Sequence, residues 1–192
     1  ATMARSVPSA GMDDLSSADA KAVLGGLADQ ASRVLGRVAL DHGVESAAHL
    51  SLRMALNDLG RLGHNFVTAT AYVEAAQVVG APRALVPLLN LGRLQAAALR
   101  GVAPAIITER PRGDFEASAE RLDDEVVEGA FDRVEGTLAT LAAAGQADEA
   151  YRPLLVAVSA EPGFLGHSLS LVHAARQASR YLAPSENAWL SW

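Results

Sequence analysis

The chain contains no cysteine, which removes disulfides, thiolate metal sites and cysteine nucleophiles together. Lysine is nearly absent too: Lys21 is the single one, the arginines are scattered, and the formal net charge is −6. Non-specific nucleic-acid binding needs clustered Lys and Arg, so no nucleic-acid partner is expected. Aromatic residues make up 5% of the chain, and no segment has the β-branched or aromatic alternation of a strand. Without strands, a nicotinamide or flavin site of the usual doubly wound kind has no scaffold. Glycine-rich phosphate loops are missing as well, so no nucleotide cofactor is expected. No apolar run reaches the length of a membrane span, because Arg100 and Glu109 interrupt the longest one. Residues Ala1 to Asp14 hold no apolar core of a secretory signal. The expectation is a cytoplasmic protein without membrane association.

What is present is alanine, leucine and valine. Half of the 192 residues are hydrophobic, enough for a full core, and alanine and leucine favour helix. The predicted fold is therefore all-α, a single bundle of about seven helices with short connections. Residues 1–15 read as a flexible lead-in, 16–183 as the bundle, and 184–192 as a tail carrying Trp189 and Trp192. Two terminal tryptophans point to docking on this chain or on a second copy, which would make a homo-oligomer, in the simplest case a dimer.

Helical periodicity places the elements. Ser16-x-x-Asp19 resembles a capping box, and Ala20, Val23, Leu27, Ala31, Val34, Leu35 and Val38 then recur as one helix reaching Gly43. A second helix is predicted from Val44 to Leu59 and a third from His64 to Val79. The third is apolar on nearly every side, which predicts a central, buried position. A fourth runs from Pro82 to about Arg100, with an early kink at Pro87. Residues 103–117 form a long irregular segment, a candidate lid. A fifth helix is predicted from Ser118 to Ala144, a sixth from Ala147 to Ala160, and a seventh from His167 to Leu182.

The five histidines fall into two groups, His42, His49 and His64, then His167 and His173. Any shared imidazole site has to be assembled by folding the two groups together. On the third helix His64, Asn65, Thr68 and Tyr72 lie within about a quarter-turn of one another. Buried, they need each other, water or a ligand; otherwise they are an exposed edge or a polar seam. Glu45 precedes His49 by four residues and is placed to orient its ring, as carboxylates do behind metal ligands; equally, Glu45, His49 and Arg53 form an ordinary charged edge. In the last helix His167 shares the stripe of Leu171, Ala174 and Ala178, whereas His173 sits on a wetter side.

Several signatures fail. There is no His-Glu-x-x-His zinc motif, no Gly-x-Ser-x-Gly elbow and no Glu-x-x-His pair of the di-iron kind, since Glu45 to His49 is one residue too long. Asp123-Asp124-Glu125 with Glu128 has the look of a diphosphate-binding magnesium motif, but on an amphipathic helix it reads as a solvated face.

Two stretches resemble the questin oxidase-like family. One is Ala47-Ala48-His49-Leu50-Ser51-Leu52-Arg53 with Ala69-Thr70-Ala71-Tyr72 on the next helix; the other is Leu171-Val172-His173-Ala174-Ala175 with Tyr181-Leu182 and Trp189. The pieces cover about a third of the chain, family members are longer, and Arg176-Gln177-Ala178 stands where the family would have Thr-x-Pro. The resemblance implies an oxidoreductase of aromatic polyketide metabolism, with histidine-bearing helices around a buried non-haem metal.

Two readings follow. In the first, the chain is a metal-dependent oxidoreductase or oxygenase of secondary metabolism. His49, His64, His167 and His173 hold one transition metal, iron ahead of zinc, copper or manganese. His64, His49 and Tyr72 act in catalysis. Thr68 and Asn65 bind a flat apolar substrate in an alanine- and leucine-lined cavity, and Arg110 and Arg112 hold an acidic group at its entrance. In the second, the bundle is a non-catalytic binding or accessory domain that holds an apolar small molecule or a partner protein.

Overall fold

The computed structural model describes residues 11–59, 63–103, 118–160 and 166–183. Among them lie nine helices and no strand. The all-α expectation holds, with two more helices than the sequence suggested. The chain divides into two compact units, Ala1–Ala105 and Ile106–Trp192, where residues 16–183 had been expected to form one bundle. No helix among the described residues is long and apolar enough to cross a membrane.

The first unit holds α1 (Met12–Leu24), α2 (Ala28–Asp41), α3 (Val44–Ala55), α4 (His64–Val79) and α5 (Leu85–Ala98). The single long helix expected up to Gly43 is in fact α1 and α2. Gly26 takes φ +70°, a left-handed conformation that glycine adopts without steric cost. The Leu27 N–H then donates back to the Ala22 carbonyl at 2.8 Å and the Gly26 N–H to Val23 at 3.0 Å. These two bonds satisfy carbonyls that would otherwise propagate the helix, so the chain turns. The α1 helix also starts at Met12, four residues ahead of Ser16, so Ser16 and Asp19 are interior positions and not a capping box. The α3 helix stops at Ala55, short of Leu59; the Asn57 side chain donates to the Met54 carbonyl at 2.8 Å and ends it.

Both α1 and α2 pack on α5, and α4 packs on α3 and α5. Ala22, Val23, Ala31, Met54, Ala96 and Leu99 form one buried cluster among them. Its small side chains let helices approach closely, most of all at Gly92. A Cβ there would stand 2.8 Å from Ser32 Cα and 2.9 Å from the Ala31 carbonyl. The Gly101 N–H, just beyond α5, donates to the Leu24 carbonyl at 2.9 Å and ties the ends of α5 and α1 together. Pro82 precedes α5 in a turn, and Pro87 falls in its first turn, where the missing N–H has no intrahelical acceptor to lose. The early kink expected at Pro87 has no cause at that position.

The second unit holds α6 (Ala119–Glu128), α7 (Phe131–Ala143), α8 (Ala147–Ala160) and α9 (His167–Ala178). The fifth helix expected from the sequence is divided at Gly129, φ +69°, with the Ala130 N–H on the Glu125 carbonyl at 2.9 Å. Ser118 caps α6 by accepting the Arg121 N–H at 3.1 Å. Leu122, Leu138, Leu141 and Ala150 make the core, with Val126, Val134 and Leu154 packed around it.

Candidate functional site

Three histidines lie in the first unit and two in the second. His42 ends α2 and is exposed; His49 on α3 is half-buried; His64, the first residue of α4, is exposed. In the second unit His167 opens α9 half-buried and His173 is exposed. The contrast read between the last two agrees with the periodicity. Among the described residues, no three His, Cys, Asp or Glu side chains come together to hold a metal ion. Arg110, Arg112, Trp189 and Trp192 lie outside the described residues, as does nearly all of the candidate lid.

The expectation that the third predicted helix is central and buried is corrected by α4. Phe66, Ala69, Thr70, Val73 and Ala76 face inward. Thr68, Ala71, Ala75, Val78 and Val79 face outward, Val78 with 87% of its surface exposed. The polar group foreseen on this helix is mostly an edge. His64 and Thr68 are exposed and Tyr72 is half-buried, while the Asn65 side chain donates to the Asp58 carboxylate at 2.5 Å. Thr70, by contrast, is buried and satisfied internally, its hydroxyl on the Phe66 carbonyl at 3.0 Å.

The first unit also encloses polar groups that the sequence pattern did not single out as a site. Asp19 is 1% exposed and neither carboxylate oxygen has a hydrogen-bond partner among the described residues. Burial pushes its carboxyl up to about 7. Ser32 Oγ and Gln95 Oε1 are likewise buried without a partner, although Gln95 Nε2 donates to the Ser51 carbonyl at 2.7 Å. Asp19 stands on α1, Ser32 on α2 and Gln95 on α5, three helices that pack on one another. The available signal was the stripe itself. Leu15, Asp19, Ala22 and Val23 share one face of α1, so Asp19 occupies a core position in helical register.

In the second unit the acidic run of α6 is resolved residue by residue. Asp123, Asp124 and Glu128 are exposed, as a solvated face requires, but Glu125 is buried. Burial alone would raise the Glu125 carboxyl. Hydrogen bonds from Arg121 Nε at 2.8 Å and Thr137 Oγ1 at 2.7 Å, with the charges of Arg121 and Arg133, outweigh it and hold the group below its ordinary value. This is a structural clamp joining α6 to α7. A shallow open groove of about 480 Å³ is lined by Asp148, Glu149, Arg152, Leu155, Val156 and Arg176. Arg176 on α9 reaches Asp148 on α8 across it at 3.2 Å. Its lining carries both signs of charge.

No family model, curated protein or solved structure matches the chain.

Proposed function

We propose that this chain is a non-catalytic helical binding module that seats a helix of a partner protein against the outward face of α4. The observation that carries this reading is the spacing of that face. Thr68, Ala71, Ala75 and Val78 recur at intervals of three and four over two heptads, flanked by Tyr72 and Val79. That is the seam one helix offers another in knobs-into-holes packing. These six residues carry no charge, Glu74 bordering them beside Val78, and Ala71 and Ala75 are small enough to admit ridges of a facing helix.

Magnitude sets the kind of binding. A 16-residue helix presents a strip roughly 24 Å by 10 Å, well under the ~800 Å² per partner of a standard interface. A weak, exchangeable contact is expected. The oxidoreductase reading rests on the questin oxidase-like resemblance and on imidazoles from both units; exposure of His64 and His173 adds nothing to it.

A photoreactive residue in place of Ala75, introduced in cells of the source organism, tests the proposal. The expected result is an adduct with one partner protein, abolished by Val78→Glu and absent when the probe replaces the exposed Glu45. Val78→Glu should itself leave the unfolding midpoint nearly unchanged, within about 0.5 kcal/mol, whereas Phe66→Ala on the inward face should cost about 3–5 kcal/mol. Adducts only with a second copy, or adducts indifferent to Val78→Glu, would overturn the partner-helix reading.

A further inference from the structure

Every unpartnered buried side-chain atom among the described residues is an oxygen, and all four belong to Asp19, Ser32 and Gln95. Register puts these residues at one level of the first unit. Asp19 lies five residues before Leu24, and Gln95 lies six before Gly101, whose N–H is bonded to the Leu24 carbonyl. Ser32 lies five residues beyond Leu27, where the chain turns into α2. At 1.5 Å per residue each is roughly 7–9 Å along its helix from the same junction. Gly92, one turn before Gln95, brings α5 onto the backbone of Ala31 and Ser32, so the layer is tightly closed.

The hydrogen-bonding arithmetic of this layer depends on one proton. With Asp19 ionised, the four oxygens are acceptors and only the Ser32 hydroxyl brings a hydrogen. With Asp19 neutral, one of these unpaired acceptors becomes an O–H donor and no charge remains in this layer. We propose that Asp19 is held as the neutral acid inside the first unit and that losing this proton loosens α1 from α2 and α5, a pH-sensitive device built into the helix packing.

No charged group among the described residues takes over the task. On α1 itself Asp13, Asp14 and Lys21 are exposed. On α2 Arg37 pairs with Asp41 at 2.6 Å, Asp29 pairs with Arg93 of α5 at 2.9 Å, and Arg33 is half-buried. Arg100, beyond α5, and Glu45 and Arg53 of α3 are exposed, and His49 of α3 is half-buried. None of these shifts Asp19; burial alone raises it to about 7, from 3.8. The sign follows. The native state keeps a proton that the unfolded chain releases above about pH 4, so the contribution of Asp19 to stability is fully present in acid, falls as pH rises toward 7, and levels off beyond it.

Denaturant unfolding of the full chain and of Asp19→Asn, from pH 4.5 to 8.5, tests this. Relative to the variant, the wild-type unfolding constant should rise by nearly tenfold per pH unit between about 5 and 6.5, level off above about 7, and change by roughly two to three hundredfold in all from pH 4.5 to 8.5. Parallel pH profiles for the two proteins would overturn the proposal. A second measurement does not depend on the variant folding. Selectively ¹³C-carboxyl-labelled aspartate in the wild-type protein should show one resonance titrating near 7, and a set titrating wholly below 5 would overturn it.

Discussion

Two buried acids receive opposite treatment, and the difference lies in their neighbours. Asp19 is enclosed by apolar helices and rises; Glu125 meets Arg121 and Thr137 and falls. For Glu125 the sign is that of a depressed carboxylate. Its contribution is present above the ordinary glutamate range and is lost as pH drops through the lowered native value. Thr137→Val removes one of the two hydrogen bonds and leaves an acceptor of a buried carboxylate unfilled. The expected cost is about 1–3 kcal/mol at pH 7, read from the urea midpoint, with the acid limb of the stability profile moved to higher pH. An unchanged midpoint would show that Arg121 alone holds the carboxylate. Neither acid was assigned correctly from sequence, because each sat in a plausible polar setting. Asp19 was three residues from a serine, and Glu125 closed a run of three acids with Glu128 close behind. What distinguishes them is helical phase against the apolar stripe, a weak cue when a single polar residue interrupts it.

At the scale of elements, periodicity located the helical segments well, and α4 and α8 begin and end where it placed them. Helices were merged at glycine. Gly26 and Gly129 each lie inside a continuous apolar pattern, so two helices were read as one at both sites. Periodicity registers which faces are apolar, and both faces stay apolar across a left-handed turn; it does not register φ. The other misreading, α4 as a central helix, has the same root. An all-round apolar helix is expected in a core, yet one side of α4 faces outward, which is why its exposed face carries the functional proposal. Gly129 offers a clean test of the turn. No atom lies within 4 Å of where its Cβ would be, so substitution strains only the backbone. Gly129→Ala is expected to cost about 1–2 kcal/mol in a thermal or denaturant melt, and Gly129→Asn less, since asparagine tolerates the left-handed region better. Equal and negligible effects would mean that the α6–α7 connection does not depend on this conformation.

For the molecule as a whole, composition was a sound guide to class and a poor one to organisation. The lack of strand patterns and the excess of alanine and leucine led directly to an all-helical chain. Division into two compact units was not legible, because both use the same small aliphatic vocabulary and no shift in composition separates them. The candidate metal centre of His49, His64, His167 and His173 draws its imidazoles from both units, and spacing alone carries no information about which distant helices meet. Each unit has a buried apolar cluster of its own. The first buries Ala22, Val23, Ala31, Met54, Ala96 and Leu99 in one cluster and the second Leu122, Leu138, Leu141 and Ala150 in another. A chain of about 100 residues can bury enough surface to fold alone. Residues 1–105 produced as a separate polypeptide are therefore expected to be helical by circular dichroism and to unfold in one cooperative transition. That fragment should also keep the fall in stability between pH 4 and 7 assigned to Asp19, because all the partners invoked for that carboxyl lie within it. A fragment that is helical but melts without cooperativity would show that the first unit borrows its packing from the rest of the chain.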